Sequence, residues 1–135
     1  MPRVLLSLTT AVVLATGLAA CSGGTDAVTE VQPAEAAKTL TAEPDITILD
    51  VRTPAEFAGG HLPGAVNIDV EGGTFDQQVA ALPKDDTYLV YCHSGNRSGV
   101  ATEAMAKAGF THLLDLQGGV TAWQQAGGTL VTDGQ

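Results

Sequence analysis

Hydrophobic positions divide this chain into one long apolar run near its start and a series of short bursts after it. The first run extends from Val4 to Ala20, broken only by Ser7, Thr9, Thr10, Thr16 and Gly17. Later bursts have strand length: Val28 to Val31, Ile46 to Val51, Ala65 to Ile68, Tyr88 to Tyr91 and Leu113 to Leu116. Between them the residues predict helices. Gln32-Pro-Ala-Glu35 starts one that runs to about Leu40, with Pro33 suited to the first helical position. Thr53-Pro-Ala-Glu56 has the form of a capping box, and Gly59-Gly60 stops the short helix it opens. Thr74 is placed to cap a helix ending near Leu82. Val100, Ala104, Met105 and Ala108 recur at helical spacing, and Gly109 ends that helix. Val120 to Gln125 predicts the last one. Strands alternating with helices imply an α/β domain, residues 28–135, built on a mainly parallel sheet.

Composition narrows the class. A chain of 135 residues allows one domain, and an aromatic share of 4% leaves alanine, valine and leucine to fill its core. The formal charge is −9, and without Arg3 five basic residues face fifteen acidic ones, a net charge of −10. Nucleic acid is therefore not an expected partner, and any anion site must be local.

The N-terminal run follows Met1-Pro-Arg3 and reads as a secretory signal, residues 1–20. Leu18-Ala-Ala-Cys21 resembles the lipobox of bacterial lipoproteins, in which the cysteine becomes the lipidated, palmitate-bearing N-terminus. That resemblance implies an extracytoplasmic protein, lipid-anchored to the cell membrane through Cys21, with residues 21–27 as a flexible tether. An ordinary Ala-x-Ala signal or a single-pass anchor are the alternatives. With Cys21 committed, the second cysteine, Cys92, stands alone. A dithiol mechanism within one molecule is excluded, whereas a thiol that carries sulfur to an external acceptor is not.

Cys92 follows the Tyr88–Tyr91 strand and precedes a helix, with Gly95 allowing a sharp turn between them. A strand-to-helix loop gathers backbone N–H groups and a helix N-terminus about one point, which favours an anion, a thiolate included. Arg97 adds a full positive charge. His93, Ser94, Gly95, Asn96 and Arg97 are the candidate anion-binding loop. Ser94 and Asn96 shape the turn and contribute mainly their amides, while His93 faces substrate rather than acting as a base. Asp50 and Arg52, at the end of another strand, are expected to form an ion pair that supports the loop. His61 is expected to bond backbone, His112 to lie at a strand edge, and Trp123 to sit in the core. The histidines and Cys92 have no metal-ligand spacing, and no cofactor is implied.

Cys-His-Ser-Gly-Asn-Arg resembles the active-site loop of the rhodanese family of sulfurtransferases. Leu49-Asp-Val-Arg-Thr-Pro-Ala-Glu-Phe57, Gly60-His-Leu-Pro-Gly-Ala-Val-Asn-Ile68, then Gly109-Phe110, Leu116-Gln-Gly-Gly119 and Trp123 resemble that family's other signatures, in order. The resemblance implies a five-stranded sheet with helices on both faces. It also implies that Cys92 takes sulfane sulfur from a donor such as thiosulfate as a persulfide and yields it to cyanide or a thiol, with Arg97 seating the donor's oxyanion. A monomer is expected. Two other functions compete: a non-catalytic sulfur- or partner-binding module, and a cysteine-dependent phosphatase or arsenate reductase. Loop length speaks against the phosphatase, whose cradle is one residue longer. Only four residues separate Cys92 from Arg97.

Overall fold

Each apolar burst after residue 27 becomes a strand, and each intervening stretch a helix. The computed structural model describes residues 26–133, so the leader, Cys21 and most of the tether lie outside the described residues. In chain order the elements are β1 (Val28–Val31), α1 (Pro33–Ala42), β2 (Thr47–Asp50), α2 (Pro54–Ala58), β3 (Val66–Asn67), α3 (Phe75–Ala80), β4 (Thr87–Tyr91), α4 (Asn96–Lys107), β5 (His112–Leu116) and α5 (Gly119–Gln125). The strands form one five-stranded sheet in the order β1-β5-β4-β2-β3, parallel at every pairing.

Strand residues alternate between two cores, as the period of the pleat requires. Leu49, Tyr88, Val90 and Leu113 face Phe75 and Val79 of α3 and Ala101 and Met105 of α4. Leu89, Tyr91 and Leu116 face Ala36 of α1 and Val120 and Trp123 of α5. The central strand β4 is buried from Tyr88 to Tyr91, which explains its continuous apolar run. The Trp123 ring packs in the second core, and its Nε1 donates to the Thr129 carbonyl at 3.0 Å.

Several local expectations shift. The Thr53–Glu56 capping box forms on α2 with both of its hydrogen bonds. Thr74 makes no such cap; its hydroxyl accepts from the Gln78 side chain at 2.8 Å instead. The buried stripe of α4 is Ser98, Ala101, Thr102 and Met105, whereas Val100 is 62% exposed. The apolar spacing misplaces that face because two hydroxyls are satisfied inside it. Thr102 Oγ1 donates to the Ser98 carbonyl at 3.0 Å, and Ser98 Oγ to the Gly95 carbonyl at 3.1 Å.

The last helix is docked by backbone. Val120 N donates to the Cys92 carbonyl at 2.9 Å and Thr121 N to the His93 carbonyl at 3.2 Å. Gly119, at φ +56°, lies so close that an added Cβ would stand 2.4 Å from the Cys92 oxygen and 2.7 Å from His93. Gly73 shares the left-handed conformation, φ +75°, but has open space around it. Gly119→Ala therefore combines conformational strain with a backbone clash, a loss of about 3 kcal/mol. Gly73→Ala meets the strain alone, about 1 kcal/mol. Urea unfolding of the two variants checks the difference; equal losses would mean that the close approach carries no cost.

Candidate active site

The site lies beyond the C-terminal ends of β2 and β4, the customary ligand-binding edge of a parallel sheet. Cys92 directly follows β4, and the loop then turns at Gly95, whose φ of +105° is open to glycine without strain. The turn aims the Gly95 amide back at the sulfur: Gly95 N lies 3.1 Å from Cys92 Sγ. Ser98, from the first turn of α4, places its hydroxyl 3.8 Å from the same sulfur. The thiol sits at the floor of the loop with 1% of its residue surface exposed. Above it, His93, Ser94 and Asn96 are exposed, and Gly95 and Arg97 half-buried. His93 is tied through its carbonyl, which also accepts from Thr121 Oγ1 at 3.2 Å, while the residue itself is exposed.

Arg97 does not stand free in the loop. Its Nη1 and Nη2 each lie 2.8 Å from a different oxygen of Glu56, a bidentate pair, and Glu71 lies 3.6 Å from Nη1. Glu56 is the capping-box residue of α2 and also accepts from Thr53 N at 3.1 Å. The Arg97 hydrogen bond, aided by Thr53, lowers the Glu56 pKa to about 2 against the opposing effect of burial. The same hydrogen bond holds Arg97 above its ordinary value. Glu56 is therefore ionised throughout the neutral range and fixes α2 to the active loop. The sequence showed Glu56 as a helix cap; nothing in its spacing revealed the second duty, made across 41 residues of chain.

Asp50 and Arg52 form a buried ion pair at the end of β2, 0% and 4% exposed. Arg52 Nη2 donates to Asp50 Oδ2 at 2.6 Å and to the Gly60 carbonyl at 2.7 Å, and Arg52 N donates to Asp50 Oδ1 at 2.9 Å. Tyr91 donates its hydroxyl to Asp50 Oδ2 at 2.6 Å and accepts from Leu62 N at 3.1 Å. Burial, then the Asp50 carboxylate, push the Tyr91 hydroxyl far above its ordinary pKa, so it remains a donor. Asn67 Nδ2 ties the Asp50 and Arg52 carbonyls at 3.0 and 2.8 Å. Charges so buried persist only when well paired, and here both carboxylate oxygens of Asp50 and the Nε and Nη2 of Arg52 are hydrogen-bonded. Neither touches Cys92 in any hydrogen bond of the site; they hold the end of β2 against β4. His61 stacks on Phe57, with its Nδ1 2.9 Å from the Phe57 carbonyl. His112 is exposed at the first residue of β5.

Three comparisons place this geometry among known proteins. The rhodanese family profile, described as a rhodanese-like domain, matches residues 32–126. A protein named "Sulfurtransferase" from Allochromatium vinosum is 32% identical over 100 residues, covering 74% of this chain and 92% of its own. "Thiosulfate sulfurtransferase 16, chloroplastic" from Arabidopsis thaliana is 39% identical over 89 residues, covering 58% of this chain and 74% of its own. The crystal structure of a rhodanese-related protein from Thermoplasma volcanium superposes with a TM-score of 0.68 at 28% identity, over 77% of this chain and 98% of that one. Profile, relatives and parallel sheet agree, and the chain belongs to the rhodanese-like family as a single rhodanese domain.

Proposed function

We propose that this protein is a rhodanese-type sulfurtransferase. It takes sulfane sulfur from a donor such as thiosulfate as a persulfide on Cys92 and passes it to cyanide or to a thiol. One observation carries the reading: Cys92 Sγ lies at the floor of a tight loop with the Gly95 amide 3.1 Å away. An N–H fixed at that distance favours negative charge on sulfur before any substrate arrives. The sulfurtransferase names of the relatives from Allochromatium vinosum and Arabidopsis thaliana support the same chemistry.

Each step balances without a cofactor. The Cys92 thiolate attacks the outer sulfur of thiosulfate, the S–S bond breaks, and sulfite leaves with the electron pair. Cyanide or a thiolate then attacks the outer sulfur of the persulfide, and the pair returns to Cys92 Sγ. The thiolate that leaves in the second step is the nucleophile of the first, so one cradle serves both. Because Arg97 is shared by Glu56 and Glu71, the loop amides are the principal donors to an anionic substrate, with Arg97 positioning the loop. The nearly sealed sulfur suits a donor that is slender at its reactive end better than a phosphate ester.

The domain works at a membrane surface in this proposal, outside the cytoplasm, on a lipid carried by Cys21. The lipobox-like Leu18–Cys21 supports that placement. A single acyl chain binds membranes only marginally, so firm anchoring uses the multiply acylated cysteine.

Turnover tests the chemistry. Thiosulfate and cyanide should yield thiocyanate with the natural protein and none above background with Cys92→Ser, because a hydroxyl cannot carry the second sulfur. Aryl phosphates should not be hydrolysed. Rapid phosphate release without thiocyanate would replace this reading with the phosphatase. For the anchor, Cys21→Ser should shift the protein out of the detergent-soluble membrane fraction of the producing cell. Metabolic labelling with a fatty acid that leaves Cys21 bare would overturn that part alone.

A further inference from the structure

The arginine of the active loop is met by two carboxylates from outside the loop. Glu56 of α2 takes both Nη atoms of Arg97 at 2.8 Å, one with each oxygen, and Glu71 Oε2 lies 3.6 Å from Nη1. Two formal negative charges therefore face one positive. Both acids are held in place by bonds of their own. Thr53 N and Oγ1 donate to Glu56 Oε2 at 3.1 and 3.0 Å. Glu71 N donates to Asp69 Oδ1 at 2.9 Å, a local turn that shapes the loop after β3. An anion contact would need one such carboxylate at most, to orient the guanidinium; the second makes the balance negative.

No other lysine or arginine among the described residues offsets that balance. Arg52 is buried on Asp50. Lys107 pairs with Glu103 in the last turn of α4, and Lys84 donates to the Ala108 carbonyl just beyond that turn, so both lie at the end of the helix away from the loop. Lys38 is exposed on α1, which packs in the opposite core from α4. The Glu56 hydrogen bond holds Arg97 above its ordinary pKa, and the charges of Cys92 and Glu71 add to it, so the sulfur and both carboxylates act on one guanidinium.

We propose that Glu56 and Glu71 set the donor specificity of this site: by outweighing the charge of Arg97 they make the loop favour singly charged sulfane donors, organic thiosulfonates and persulfides, over the dianion thiosulfate. The inference rests on the sulfur-transfer reading and names the substrate class within it. Fixed amides such as that of Gly95, 3.1 Å from Cys92 Sγ, stabilise charge at the sulfur without a counter-charge. A donor that brings a second charge meets two carboxylates with no free cation to set against them. Glu71 is 64% exposed at its side chain, so its repulsion is modest and salt screens it. Glu56 lies closer to the guanidinium and is only one-third exposed, so it has the larger effect.

Two pairs of reagents that differ by one charge test this on the full chain. Methanethiosulfonate carries one negative charge where thiosulfate carries two. Its outer sulfur passes to Cys92 in the same way, with methanesulfinate leaving with the electron pair in place of sulfite. Iodoacetamide and iodoacetate make the second pair, read as alkylation of Cys92 by peptide mass, and need no sulfur donor. Rates are compared as ratios within each pair, so the intrinsic reactivity of the reagents cancels between proteins. Glu56→Gln keeps the capping box and one acceptor for Arg97. It should raise kcat/KM for thiosulfate relative to methanethiosulfonate about fivefold, through KM, and Glu71→Gln about twofold. Both gains should shrink in about 0.5 M salt. Iodoacetate should gain on iodoacetamide in the same order. Ratios that stay at the natural value in both variants, with the fold intact by circular dichroism, would overturn the proposal. Equal losses for both members of each pair would overturn it too, since the carboxylates would then only brace the loop. If Glu56→Gln fails to fold, Glu71→Gln on its exposed loop decides alone. A shifted alkylation ratio with no sulfur gained from either donor would uphold the charge preference and count against the sulfur-transfer reading instead.

Discussion

The closeness of Gly119 to the backbone of Cys92 and His93 is the constraint on which the rest of the site depends. No side chain fits between them, so β5, its Gly118-Gly119 turn and α5 are pressed directly against the active loop. The loop then has its carbonyls satisfied from α5, through Val120 and Thr121. With the carbonyls occupied on that side, the loop's Gly95 amide is left to face the sulfur. Fold and chemistry meet there: a parallel sheet supplies the strand end, and one missing Cβ lets a helix brace the loop that leaves it.

Charge does the remaining positioning, and it does so mostly in pairs. Asp50 and Arg52 are buried and paired, and they tie β2 to β4 through Tyr91. Arg97 and Glu56 join the active loop to α2. A cation that reads from the sequence as an open anion contact is in the structure half of an ion pair. For a chain of net charge −9 this matters, because the surroundings do not attract anionic donors and the arginine is already shared. In the proposed reaction, recognition of an anionic donor then falls to fixed backbone dipoles, which need no counter-charge and are not screened as exposed charges are.

The elements were legible because the central strand β4 is buried on both faces and the capping box is local. The active loop was legible for the same reason, since its glycine, cysteine and helix start are contiguous. The features that escaped were long-range. Glu56 reaches Arg97 from 41 residues away, and Tyr91 reaches Asp50 across an equal separation. The apolar pattern of α4 pointed to Val100, because periodicity counts apolar residues and cannot see that Ser98 and Thr102 satisfy their hydroxyls within the helix. Such residues announce themselves only when the sheet register is known.

In the proposed reaction Cys92 alone holds transferable sulfur. Intact-mass measurement of the full chain after incubation with a sulfane donor, followed by peptide mapping, tests it most directly. A gain of one sulfur atom is expected, located on Cys92 and persisting until an acceptor is added, since in the proposed anchor the other of the two cysteines, Cys21, carries lipid. A protein that gains no sulfur from any sulfane donor, or gains it equally after Cys92→Ser, would contradict the persulfide mechanism.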